Sequence, residues 1–287
     1  MRSLPTRRAD GWRDASSGSV VPGMTPLQIV DFDAYGYPDE SDAGAPGRPP
    51  GYPIPTAARS EPRWVEGGHP ATCNPEPDDS PCNGDRHLLL VDRDNRLLFE
   101  LYRVHWTGTE WRAGSGAVFP LDGNYRRPEG WTSADAAGLA ILPGLVRYDE
   151  VYGPDPIRHA LRVTVRTTNG YVWPASHRAG STAGALPMGA RLRLKAATDI
   201  SSYPAPIQKI YQALKTYGLI VADNGSDMYV TGAYDTRWDS PLVGPSWPGL
   251  HASDFEVVQL GWQPSASLPT LSIGDIAVSE GSGGTDP

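Results

Sequence analysis

Two kinds of residue in this chain stand where their types and spacing suit chemistry: carboxylates in a broken apolar stretch, and histidines beside strand-like runs. The segment GWTSADAAGLAILPGLVRYDEV sets Trp131, Asp135, Asp149 and Glu150 around a run interrupted by Gly and Pro, the composition of a loop folded over a domain. Two carboxyls in one cleft, one kept protonated by burial and one ionised, divide the acid and base roles of glycoside hydrolysis. Asp135 is equally suited to capping a short helix, and Asp149 and Glu150 to pairing with Arg147 in solvent.

His87, His159 in IRHALR and His177 in WPASHRAG all fall near the ends of strand-like segments, where a β-domain presents its sites. With Glu100 beside His87, these imidazoles would suit a divalent transition metal on His87, His159 and His177, or proton transfer assisted by Tyr102. The simpler expectation is no metal and no cofactor. Seven tryptophans (Trp106, Trp111, Trp131, Trp173, Trp238, Trp247 and Trp262) offer faces that stack on sugar rings or fill a core, and Trp131 and Trp173 have polar neighbours. In IVADNGSDMYVTGA, Asp223 and Asn224 read first as a turn and second as hydrogen-bonding groups for substrate hydroxyls. RLRLKA alternates Arg191, Arg193 and Lys195 with leucines, making one solvated or anion-facing sheet surface suited to the carboxylates of an acidic polysaccharide. No phosphate loop, dinucleotide glycine pattern, G-x-S-x-G or H-E-x-x-H occurs, which removes most nucleotide-dependent and serine-hydrolase readings.

The elements that must position these residues are mainly β. HLLLV and RLLFELY flank Asp92-Arg93-Asp94-Asn95 and read as a hairpin. Pairing Asp92 with Asn95 would set Leu88 opposite Phe99 and His87 opposite Glu100, with Leu88, Leu90, Leu97, Phe99 and Leu101 on one apolar face. Further strands read from EWRAGSGAVF, HALRVTVRT, GYVWP, RLRLKA, GLIVAD, MYVTGA and FEVVQL. One amphipathic helix is expected in PAPIQKIYQALKTYG, with Ile207, Ile210, Tyr211, Leu214 and Tyr217 on its apolar face, Pro206 in the first turn and Gly218 as the stop. The pattern predicts a β-sandwich or jelly-roll-like domain over residues 81–262. An extended Pro/Gly/Asp-rich segment precedes it over 1–80, touching the core through Tyr35, Tyr37, Tyr52 and Ile54, and a flexible tail follows over 263–287.

Gly (32) and Pro (29) make up about a fifth of the 287 residues, which favours turns and short strands. A net charge of −8 with scattered arginines argues against nucleic acid, and no apolar run is long enough for a membrane helix. The two cysteines, Cys73 and Cys82, sit in a polar loop that a disulfide would close, which implies work in an extracellular or periplasmic compartment, with any signal peptide absent from these 287 residues.

The phrases GDRHLLLVDRD, GWTSADAAGLAILPGLVRYDEV, HALRVTV, YVWPASH and ADNGSDMYVTG, over roughly residues 84–260, resemble a family of secreted bacterial proteins with no established activity. The resemblance implies secretion and transfers no catalytic residue. The expectation is a monomeric secreted enzyme that cleaves a plant or microbial polysaccharide, hydrolase rather than lyase. Its acid-base groups are drawn from Glu100, Asp135, Glu150, His159 and His177, and its substrate contacts from His87, Tyr102, Trp131, Trp173, Asp223 and Asn224. The alternatives are a carbohydrate-binding module without chemistry and a metal-dependent histidine site.

Overall fold

The computed structural model describes residues 6–7, 20–32, 37–42, 47–74, 82, 84–233, 235, 237–238, 250–258 and 260. The early strands are β1 (Thr6–Arg7), β2 (Val20–Val21), β3 (Val30–Asp31), β4 (Leu88–Asp92), β5 (Leu97–Tyr102), β6 (His105–Trp106), β7 (Trp111–Arg112) and β8 (Ser115–Pro120). A short helix α1 (Tyr148–Tyr152) then leads to β9 (Leu161–Val165), β10 (Arg191–Leu194), α2 (Ala205–Thr216), β11 (Leu219–Asn224), β12 (Tyr229–Thr231) and β13 (Phe255–Val257). They assemble as a mainly-β, sandwich-like fold with three sheets, ordered β1-β12-β9-β11-β10-β13, β2-β4-β5-β8 and β3-β7-β6.

The β4–β5 hairpin forms, but its closing pair is Asp92 with Leu97, so Leu88 faces Leu101 and Leu89 faces Glu100. The loop is two residues longer than the expected one because the Asp92 carboxylate accepts the Asn95 N–H at 2.9 Å and Arg96 takes a positive φ of 54°. A register change of two residues keeps every side chain on its face, so the apolar face survives while His87 loses Glu100 as its cross-strand neighbour. Leu88, Leu90, Phe99 and Leu101 pack with Val21, Val30, Phe32, Tyr52 and Ile54. Part of the expected N-terminal flank is therefore built into this core. Tyr35 and residues 261–287 lie outside the described residues.

In the six-stranded sheet, alternation sends Leu161, Val163, Leu192, Leu194, Leu219 and Val221 against Ile207, Ile210, Tyr211 and Leu214 of α2. Gly218, at φ 79°, ends that helix as its C′ residue and turns the chain into β11. The opposite sheet face carries the intervening residues, and the register sets Arg162, Ile220 and Arg191 in one row across β9, β11 and β10. GYVWP does not form a strand: Tyr171 makes an isolated bridge to Met188, and Pro174 has no N–H to continue a ladder. Cys73 and Cys82 form the expected disulfide, and among the described residues no helix is long and apolar enough to cross a membrane.

Residues 131–146 run between the two larger sheets and are bonded to both. The Glu100 carboxylate, fully buried on β5, accepts the Ile141 N–H at 2.9 Å and the Leu142 N–H at 2.9 Å. From β8, Ser115 Oγ donates to the Ser133 carbonyl at 2.7 Å. From the other sheet, Arg162 donates to Asp135 at 2.6 Å and the Ala222 carbonyl accepts the Ala137 N–H at 2.9 Å.

Gly116 on β8 sits where any Cβ would collide with the Tyr52 hydroxyl, Leu101 and Phe32. Gly116→Ala is expected to destabilise the fold by about 1–3 kcal/mol, read as a lower thermal midpoint, while Gly225→Ala, whose added methyl would meet Thr164 only at ordinary contact distance, should lose less than Gly116→Ala.

Candidate functional site

Where the β4 and β8 starts and the β5 end meet the end of β11, the chain encloses a cavity of about 620 Å³, within the range of small-molecule sites. Its lining is polar and includes Asp85, His87, Tyr102, His177, Asp223 and Asn224, five of which were expected as site residues. Asp85, just ahead of β4 in GDRH, was not among them. Its only sequence signal is an acid two positions before His87.

Asp223 reaches this cavity through a β-bulge. By alternation Leu219, Val221 and Asp223 would share the α2-facing side of β11. A register irregularity between Val221 and Asp223 instead pairs Asp223 with Thr164, the kind of local kink that re-aims a side chain. Its carboxylate comes within 3.8 Å of Arg162, and its Oδ1 accepts the Asn224 N–H at 2.7 Å. Burial, reinforced by the neighbouring charge of Asp135, outweighs Arg162 and pushes the Asp223 carboxyl up to about 7, with Asp85 adding in the same direction. Asp85 itself is exposed.

His87 is committed to structure. Nδ1 lies 2.7 Å from Glu66 Oε2 and Nε2 lies 2.9 Å from the Ala134 carbonyl, so both ring nitrogens face acceptors and the ring is an imidazolium. Burial disfavours that charge, but Glu66 overrides it and raises His87 to about 9. Glu66, Asp85 and His87 bring one ligand atom each within 4.8 Å of one another, yet an imidazolium donating from both nitrogens has no lone pair for a metal. His177 is different. Its Nδ1 donates to the Ala136 carbonyl at 2.9 Å, which fixes the tautomer and leaves Nε2 as the acceptor of a ring lining the cavity. Asn224 Nδ2 donates to the Ala179 carbonyl at 3.2 Å, and its buried Oδ1 has no partner among the described residues.

The remaining expected acids and bases lie elsewhere. Glu100 holds the Ile141 and Leu142 amides and lines neither of the two cavities. Burial pushes it up to about 7 despite those two donors. Asp135 is buried in its ion pair with Arg162. Glu150 accepts from Arg147 at 2.5 Å and lies 3.1 Å from His159 Nε2, and those contacts overcome its partial burial to hold its carboxyl below the usual range. The three histidines considered for a metal are divided, since His159 lines a second cavity of about 390 Å³ with Asp135, Arg162 and Trp173. Trp131 stacks on Arg127 with 5.2 Å from guanidinium to ring centre, and Trp111 is buried. Trp247 and Trp262 lie outside the described residues.

No family model, no curated protein and no solved structure matches the chain.

Glu100, Asp223 and His87 all titrate higher in the folded chain than their ordinary values of 4.5, 3.8 and 6.5. The folded state therefore holds protons that the unfolded chain has released, and stability falls as pH rises from about 5 to 9. Thermal midpoints should decline across that range. Glu100→Gln, which cannot ionise, is expected to shrink the difference between pH 5 and pH 8 by roughly 5 °C. An unchanged difference would mean that the Glu100 carboxyl does not drive it.

Proposed function

We propose that the 620 Å³ cavity is the active site of a glycosidase that works outside the cytoplasm on the end of a glycan chain. The observation that carries this reading is the pair of cavity carboxyls in unlike environments: Asp223, half-buried and raised to about 7, and Asp85, exposed. Glycosidic cleavage needs one carboxyl able to give a proton to the leaving oxygen and one to stabilise or attack the positive sugar centre. Asp223 takes the first role and Asp85 the second. His177 Nε2 accepts a hydrogen bond from water or a sugar hydroxyl, and Tyr102 binds a further hydroxyl. The acid-base pair thus moves from the carboxyls around Asp135 and Glu150 to Asp85 and Asp223.

A site of about 620 Å³ has room for a few sugar rings, which favours a chain end or a short oligosaccharide over a long stretch of polymer. It also favours an enzyme over a binding module, whose aromatic platform would need no titratable groups. The disulfide supports an oxidising compartment.

Release of sugar from a panel of aryl glycosides and oligosaccharides tests the proposal. Asp223→Asn is expected to lower kcat by about 10²–10³ with the thermal midpoint at or above that of the wild type. Wild-type kcat/KM should fall above about pH 7, as Asp223 loses its proton, and this limb should vanish in the variant. Full activity in Asp223→Asn, or no release from any substrate, would overturn the assignment.

A further inference from the structure

The second cavity lies on the sheet face opposite α2, and its floor follows from the register. Arg162 and Arg191 both pair with Ile220, one from each side, so two guanidiniums share a row with one apolar residue between them. At the usual spacing of strands their backbones are about 10 Å apart. Both residues line the cavity.

Their charges are in different states. Arg162 is answered by Asp135 through donors at 2.6 and 3.3 Å, and by Thr231 Oγ1 at 2.8 Å. Arg191 is exposed and its side chain has no ion pair or hydrogen bond among the described residues. Its neighbours in RLRLKA are occupied: Arg193 pairs with Glu256 at 2.5 Å and Lys195 Nζ donates to the Ser253 carbonyl at 2.7 Å. Of the three bases, the one without a partner is the one that faces the cavity. Arg126 adds a third lining arginine, offset by an exposed Glu129 at 2.5 Å and anchored on the Ala175 carbonyl.

Trp173 and Leu139 line the same space, and Asn124 offers hydrogen bonds. An uncompensated arginine, an indole and an amide in about 390 Å³ match a ring that carries hydroxyls and a carboxylate. We propose that this second cavity binds a uronate, a sugar acid whose carboxylate pairs with Arg191 and whose ring lies against Trp173. The preference for an anion rests on the cavity alone, whereas the choice of a sugar acid rests on the glycosidase reading of the first cavity.

Isothermal titration of the full chain with glucuronate, glucose and inorganic phosphate tests this without any turnover. Glucuronate is expected to bind saturably and at least about tenfold more tightly than glucose or phosphate, with Arg191→Gln weakening it about tenfold at an unchanged thermal midpoint. Trp173→Phe should weaken glucuronate and leave phosphate unaffected. Asp223→Asn should leave glucuronate binding unchanged, which keeps this site distinct from the first cavity. Equal affinity for glucuronate and glucose, phosphate binding as tight as glucuronate, or an Arg191→Gln protein that binds as well as wild type would each overturn the proposal. Loss of glucuronate binding in Asp223→Asn would do the same by moving the sugar acid into the first cavity. None of these outcomes depends on whether aryl glycosides are cleaved.

Discussion

The backbone of residues 132–142 crosses between two sheets in surroundings from which water is largely excluded, so its amides and carbonyls need partners from side chains. A buried peptide group without one costs about 1–3 kcal/mol. Glu100 answers two amides, His87 and Ser115 answer two carbonyls, and Arg162 fixes the one charged side chain of the stretch, Asp135. The hairpin sheet supplies one set of pins and the six-stranded sheet the other. Together they hold the sheets at a fixed separation and leave a cavity at the end where the pins stop.

This arrangement explains why Glu100, Asp135 and His87 resemble catalytic residues by type. A loop buried between sheets draws polar and ionisable groups inward just as an active site does, and it raises the proton affinity of Glu100 by the same desolvation. What separates the two cases is access. Glu100 meets backbone amides and lines neither cavity, whereas Asp223 lines one. The buried ion pair also ties the cavities together: Arg162 and Asp135 line the second, and both charges act on Asp223 in the first. The Asp135–Arg162 salt bridge thus stands between the second cavity and the Asp223 carboxyl of the first.

Much of the fold was legible in the sequence because it depends on periodicity. The apolar face of β4 and β5, the alternation in LRVTV and RLRL, and the 3.6-residue repeat of α2 with Gly218 as its stop are written locally and recur in the structure. The Cys73–Cys82 bridge followed from two cysteines in one polar loop. GYVWP was misread as a strand because its β-formers outweighed the proline that ends it.

The lining of the candidate site was legible in part. His87, Tyr102, His177, Asp223 and Asn224 were picked out one by one from positions near strand ends, and they share a cavity. Their surroundings were not legible, because these depend on partners distant in the chain: Glu66 and Ala134 make His87 an imidazolium, while Ala136 takes His177 Nδ1 and leaves Nε2 without a hydrogen bond among the described residues. Asp85 was missed since nothing in GDRH says which way a loop acid will face. The sequence by itself determined the β4–β5 hairpin, most later strands, α2, the disulfide and the apolar faces, all products of local pattern. Tertiary structure decided which carboxyl is pinned and which is presented, since one bulge in β11 turns Asp223 toward the cavity and a two-residue change of register in the β4–β5 hairpin moves Glu100 away from His87.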